Sequence, residues 1–183
     1  MGATALVLID LQNEYFEGGK LPLVGIEAAA RNAARVLADA RARGLPVLHV
    51  RHEAAKADAP VFTPGSSGVQ LHASLAPAAG EAVVVKNFPN AFRGTDLQAQ
   101  LQQLGVSELR LVGAMSHMCI DAATRAAADL GYAVTLVHDA CATRDLSFGG
   151  QTVPAAQVHA AFMSALGSYA QLKDTDSVLQ AAA

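Results

Sequence analysis

Five short apolar runs recur along the chain, at residues 5–9, 46–50, 82–85, 109–112 and 133–137, and each is continuous rather than alternating. A strand with one wet face alternates apolar with polar residues. Continuous runs rich in Val, Ile and Leu therefore predict strands buried on both faces. A sixth run at 169–172 is more polar and fits a sheet edge. Helical stretches separate the runs. Residues 26–43 are rich in Ala and Arg and stop at Gly44, and residues 96–104 follow Thr95, a candidate N-cap, and stop at Gly105. Residues 117–130 follow Ser116 and stop at Gly131, and Thr152 with Pro154 opens a last helix that Gly167 closes. This alternation predicts an α/β fold: a three-layer, doubly wound sheet of about six mainly parallel strands, in a single domain over 1–183. The stretch 52–80, with Pro60, Pro64 and Pro77, is too long for a simple connection. Such loops are usually lids or subunit contacts.

Composition narrows the function. Hydrophobic residues make up 52% and charged residues 16%, which excludes an intrinsically disordered chain. The net charge of −3 excludes a generally basic surface for nucleic acid. No apolar run approaches the roughly 18 residues of a membrane-spanning helix. The first residues carry no basic leader signature, and Leu6 stands where a myristoylation signal wants Ser or Thr. The two cysteines, Cys119 and Cys141, make no disulfide framework. Together these predict a reduced, cytoplasmic chain without nucleic-acid or membrane partners.

In a doubly wound sheet the working groups gather beyond the carboxyl ends of the strands. Three such ends carry a residue that the strand composition does not predict. Asp10 ends Ala-Leu-Val-Leu-Ile-Asp, and Lys86, one of only four lysines, ends Ala-Val-Val-Val-Lys. Cys119 stands one turn past the fourth run, in Gly-Ala-Met-Ser-His-Met-Cys. Each has a plain structural reading: a loop-capping carboxylate, a snorkelling lysine, a small buried hydrophobe. As a set they carry chemistry. A thiol in a helix's first turn beside an ammonium is expected to have a depressed pKa. A carboxylate within reach can take the thiol proton and return it to a leaving amine.

The sequence resembles the isochorismatase-like cysteine hydrolases, a family that includes nicotinamidases, N-carbamoylsarcosine amidases, biuret hydrolases and streptothricin hydrolase. The matching pieces are Leu-Ile-Asp-Leu-Gln-Asn-Glu-Tyr-Phe at 8–16, Pro-Val-Leu-His-Val-Arg-His at 46–52 and Val-Val-Lys-Asn-Phe-Pro-Asn-Ala-Phe at 84–92. They continue with Val-Gly-Ala-Met-Ser-His-Met-Cys at 112–119 and Gly-Tyr-Ala-Val-Thr-Leu-Val-His-Asp-Ala-Cys-Ala at 131–142. The resemblance implies that Asp10, Lys86 and Cys119 form a catalytic triad and that the strand order is 3-2-1-4-5-6. It implies a cis bond at Ala114–Met115, a small-molecule substrate, no cofactor, and a homo-oligomer (dimer or tetramer). The sequence offers no Asn or Arg beside Cys119, so backbone N–H groups are expected to form the oxyanion hole: that of Cys119 and one from 113–116, which the cis bond implied by the resemblance assigns to Met115.

Nicotinamidases carry an Asp-Trp-His-type metal motif after the second strand, and the corresponding stretch 51–58 here has none. No metal is expected, although His52, Asp58 and His72 are the residues that would have to converge on one. A retained thiol argues for acyl chemistry, because vinyl-ether hydrolysis needs an acid and no nucleophile. The expected reaction is hydrolysis of a C–N bond in a small amide, ureide or lactam. The rivals are an ether hydrolase using Asp10 as acid and a binding protein on the same fold. Gln12, Tyr15, Phe16, Phe92 and His117 are candidates to line the substrate pocket. Gln12 and Asn13 equally fit a role in the turn, the aromatics a role in the core, and His117 a solvated position. Cys141 is read as packing. Removing Asp10 or Lys86, which lie beyond strand ends, is expected to leave the core untouched.

Overall fold

The computed structural model describes residues 2–180; Met1 and residues 181–183 of the expected 1–183 domain lie outside the described residues. Six strands form one parallel sheet: β1 Ala3–Ile9, β2 Val47–His52, β3 Ala82–Lys86, β4 Val106–Ala114, β5 Ala133–Ala142 and, after a two-stranded hairpin, β8 Gln171–Lys173. Their order is β3-β2-β1-β4-β5-β8, the expected one, with the more polar sixth strand at an edge. β1 pairs with β2 on one side and β4 on the other, so its end lies at the point where the strand order reverses.

Both faces of the sheet are covered, and this is why the runs are continuous. Leu6 and Leu8 of β1 pack with Ala29, Ala33, Val36, Leu37 and Ala40 of α1 (Ile26–Ala42) on one face. Ala5, Val7 and Ile9 join Leu101 of α2 (Leu97–Gln103), Ala123 and Ala127 of α3 (Asp121–Asp129), and Met163 and Leu166 of α4 (Ala155–Leu166) on the other. Small alanines at helical spacing let α1 lie close against the sheet.

Three elements differ from expectation. β5 runs on from residue 137 to Ala142 through a bulge, so that Leu111 faces Leu136 while Gly113 faces Cys141. His138 and Asp139 look like loop residues because the bulge turns them out of the ladder. There Asp139 accepts bonds from Asn32 of α1 and from the N–H and hydroxyl of Thr175, which opens α5 (Thr175–Gln180). Thr152 lies in a hairpin, β6 Leu146–Phe148 with β7 Gln151–Val153, and only Pro154 stands at the helix start. Gly149 and Gly150, both with positive φ, make its turn, a glycine pair that signals a hairpin. At α2, Asp96 is the capping position, while Thr95 Oγ1 accepts weakly from the Leu97 N–H at 3.4 Å.

Where α1 ends and β3 begins, Glu81 accepts two bonds from Arg41 (2.7 and 2.8 Å), one from His49 Nε2 (2.9 Å) and one from the Ala78 N–H (2.8 Å). The Arg41 guanidinium, against the opposing effect of burial, holds the Glu81 carboxyl at about 2, below its ordinary 4.5. A depressed folded pKa stabilises the chain fully above the unfolded value and loses that contribution as pH falls through the folded one. Glu81→Gln is therefore expected to cost about 1 kcal/mol at neutral pH. Paired melts of variant and wild type should converge as the pH is lowered from about 4.5 to about 2. A gap that stays constant over that window would mean the carboxylate charge is not the source.

Candidate active site

β1, β3 and the turn after β4 bring Asp10, Lys86 and Cys119 together at the carboxyl end of the sheet. Asp10 takes a left-handed backbone (φ 53°) directly after β1, a conformation that Asp tolerates better than most residues. Lys86, the last residue of β3, reaches across β2, and its Nζ lies 2.8 Å from Asp10 Oδ2 and 3.2 Å from Cys119 Sγ. All three are buried: Asp10 is 0%, Lys86 1% and Cys119 5% exposed. Among the described residues Asp10 Oδ1 has no hydrogen-bond partner. Oδ2 is held by the Lys86 ammonium.

Ala114 and Met115 are joined by a cis peptide bond. The chain then makes a wide π-type turn, Ser116–Ile120, before α3 begins at Asp121. Cys119 thus precedes the regular helix that was expected to start at 117. The Met115 carbonyl accepts from the N–H groups of Met118 (3.0 Å) and Ile120 (3.2 Å), while the Met115 N–H has no backbone partner among the described residues. Ser116 locks the turn from beneath, its hydroxyl lying 2.8 Å from His159 Nδ1 and 3.3 Å from the Ala142 carbonyl.

Protonation corrects the expectation for the thiol. Burial, reinforced by the Asp10 carboxylate, pushes Cys119 well above the ordinary thiol value, and Lys86 offsets only part of this. The Asp10–Lys86 pair is nearly neutral as a unit, so desolvation decides. That direction favours the protonated thiol. Burial alone would lower Lys86, but the Asp10 carboxylate and the Cys119 sulfur outweigh it and raise Lys86 above its ordinary value. Burial pushes Cys141 up to about 12, and its thiol donates to the Val137 carbonyl at 3.4 Å, as a packing residue would.

Of the pocket candidates, Tyr15 is tied to Asp10 and Cys119 by charge, and Phe92 packs against the cluster that includes Cys119. Tyr15 is buried, its ring 5.1 Å edge-on from Phe62, and after burial the charges of Asp10 and Cys119 raise its phenol, so it borders the site. His117 bonds Thr143 Oγ1 at 2.6 Å and is half-buried. Gln12 is fully committed elsewhere: Nε2 donates to the His52 and Val69 carbonyls and Oε1 accepts from the His52 N–H, all at 2.8 Å. Asn13 donates to the Ser67 carbonyl. Phe16 stacks on His72 (3.8 Å), and Phe92 stacks on Tyr132 and packs in the cluster beneath α2 and α3. A fixed loop explains these placements. The N–H groups of Asn13 and Glu14 bond the Gln70 and Gly68 carbonyls, and His72 bonds back to Leu11. Glu14 Oε1 accepts from the Phe62 N–H. The long loop before β3 is therefore strapped to the segment after β1 and is no open lid.

His52, Asp58 and His72 do not converge. His52 Nδ1 lies 3.2 Å from Lys86 Nζ, and His72 Nδ1 lies 2.8 Å from Ser74 Oγ. Among the described residues no group of three His, Cys, Asp or Glu side chains is placed to hold a metal ion. The sequence reading missed two residues, His52 as a neighbour of Lys86 and Arg144. Arg144 is exposed, has no ion-pair partner among the described residues, and after burial is the second cause of a lowered His117. Arg144 directly follows Thr143, and the 131–142 match stops short of it.

The Isochorismatase domain model matches residues 4–167. This chain belongs to the isochorismatase family. It is 48% identical to the isochorismatase family protein YddQ of Bacillus subtilis, itself uncharacterised, over 97% of this chain and 99% of that one. Among solved structures it superposes on an isochorismatase-hydrolase candidate from Oleispira antarctica with a TM-score of 0.95 and 56% identity, covering 98% and 97% of the two chains. It is also 33% identical to maleamate amidohydrolase of Pseudomonas putida, over 76% of this chain and 72% of the relative. The family is one of hydrolases, and relatives within it act on amide C–N bonds. Among the described residues no helix is long and apolar enough to cross a membrane.

Proposed function

We propose that the chain is a cysteine hydrolase that cleaves a non-peptide C–N bond of a small amide, ureide or lactam through a thioester on Cys119. One observation carries the reading: a fully buried carboxylate, whose Oδ1 has no donor, shares one ammonium with the Cys119 thiol. Buried carboxylate oxygens normally have donors. Left free, Oδ1 of Asp10 is available as a proton acceptor.

In this reading Asp10 takes the thiol proton as sulfur attacks the carbonyl carbon. Lys86 stabilises the thiolate as it forms, which lets a thiol with a raised pKa react. The carbonyl oxygen becomes negative and is met by the Met115 and Cys119 N–H groups, the first of which has no backbone partner. Asp10 then passes its proton to the leaving nitrogen, the C–N bond breaks, and a thioester remains. Water gives a proton to Asp10 and its oxygen to the acyl carbon; the acid departs, and the proton returns to sulfur. Tyr15 and His117 border the pocket in this reading. The assembly (a dimer or tetramer) and the cytoplasmic location belong to the proposal through the family resemblance and the cysteine usage.

A panel of nicotinamide, carbamoyl amino acids, biuret and lactams, assayed for ammonia and acid, tests it. Cys119→Ala is expected to lower turnover by about 10³-fold or more, and intact-mass spectra of quenched wild type should show an acyl adduct on Cys119. An ether hydrolase would keep most of its activity in Cys119→Ala, and that result would replace this reading.

A further inference from the structure

An ammonium has three N–H donors. Asp10 and Cys119 account for two of those on Lys86, and the mechanism above uses both. The third faces His52 Nδ1 at 3.2 Å. An ammonium offers no acceptor, so this imidazole nitrogen meets it with a lone pair and the ring proton stands on Nε2.

The ring is held for that task. The Gln12 amide grips both the N–H and the carbonyl of His52. Phe62 packs edge-on against the imidazole at 5.1 Å, and Phe62 is in turn fixed by Tyr15 and by the Glu14 carboxylate on its N–H. Burial first, and Lys86 second, lower the His52 imidazole, against a smaller opposing pull from Asp10. The charged and titratable groups that face it are Lys86 from β3 and Asp10 from the end of β1, with Tyr15 and Cys119 beyond them; on its own side Glu53 is occupied by Arg51 at 2.6 Å.

We propose that neutral His52 is the third anchor of the Lys86 ammonium, a positioning residue that keeps the remaining two N–H bonds on Asp10 and on the Cys119 sulfur. Without it, a buried N–H loses its partner and the ammonium, on a flexible four-carbon stem, is free to rotate away from the sulfur. A protonated His52 would place a second cation against Lys86 and an N–H where no acceptor stands. Acid therefore breaks the contact, and thiol reactivity falls with it.

The proposal rests on the cysteine-hydrolase reading, but its test uses no substrate. Long-range ¹H–¹⁵N correlation spectra, with His52 assigned by comparison with His52→Asn, should show the neutral Nε2–H tautomer at pH 7 in wild type. A ring protonated on Nδ1, or charged at pH 7, overturns the proposal. The second arm measures iodoacetamide labelling of Cys119 against pH in a Cys141→Ser background. His52→Asn, whose Oδ1 can replace Nδ1 as acceptor, should keep the neutral-pH rate and lose the acid fall that His52 contributes. His52→Ala should label about tenfold more slowly or worse, the loss expected for one hydrogen bond to a charged group. Equal rates in the Asn and Ala variants would overturn the proposal as well. A wild type that hydrolyses nothing on the panel, yet gives the expected tautomer and the Asn rescue, would remove the amidase reading and leave the role of His52 standing.

Discussion

Asp10→Asn and Lys86→Met are each expected to abolish hydrolysis, and each to destabilise the chain by about 3–5 kcal/mol. The double variant should regain much of that stability and none of the activity. Both side chains are completely buried and form an ion pair at 2.8 Å. Removing one partner leaves a lone charge out of water, whereas removing both exchanges the pair for neutral packing. This corrects the expectation that groups beyond strand ends can be lost without consequence for the core: the ends of β1 and β3 are roofed by the strapped loop. Activity should follow the opposite arithmetic. In the proposed mechanism each single change removes the unit that moves the thiol proton, so the double variant should be no slower than the worse single one. Denaturant melts and turnover of all three variants check both halves. Additive losses of stability would mean that the two charges do not depend on each other in the folded state. Additive losses of activity would mean that they do not act together on the thiol.

Gly113→Ala is expected to cost about 4 kcal/mol or more, enough to prevent folding of an ordinary domain. Gly113 faces Ile9 across the β1–β4 pair, and its φ is 135°, outside what a side chain readily tolerates. A Cβ there would overlap the Ile9 carbonyl oxygen, which is backbone and has nowhere to go. The position matters because the chain leaves the sheet here to reach the Cys119 turn. Gly44→Ala is the control: it also has positive φ (64°), but its Cβ would meet nothing within 4 Å. That variant should lose only the backbone term, about 1–2 kcal/mol. Chemical melts that give equal losses at 113 and 44 would show that contact with Ile9 is not the cause.

The strands of the main sheet were legible because burial on both faces leaves a local mark, a continuous run of Val, Ile and Leu. The hairpin also left a local mark in Gly149-Gly150, which the reading of Thr152 as a helix start passed over. Asp10, Lys86 and Cys119 stood out because each is a polar or reactive residue at a strand end in an apolar neighbourhood. What they do to one another was not legible. Their pKa directions depend on burial and on distances across three separate elements, and burial reversed the direction expected for the thiol.

Gln12 shows the same limit at one residue. Its place in Asp-Leu-Gln-Asn fits a substrate donor and a turn clamp equally well; only the arrival of the His52 and Val69 backbone, 40 and 57 positions away, commits its amide. His52 reads at most as one of three residues that a metal would need, until β3 sets Lys86 beside it. The sequence alone determined the layer architecture, the family and which side chains stand out at the strand ends, since periodicity, composition and short motifs are local properties. The tertiary structure decided which of those side chains meet, which proton each holds and which polar groups are already satisfied. Hydrogen bonding and desolvation depend on neighbours that sequence distance does not reveal.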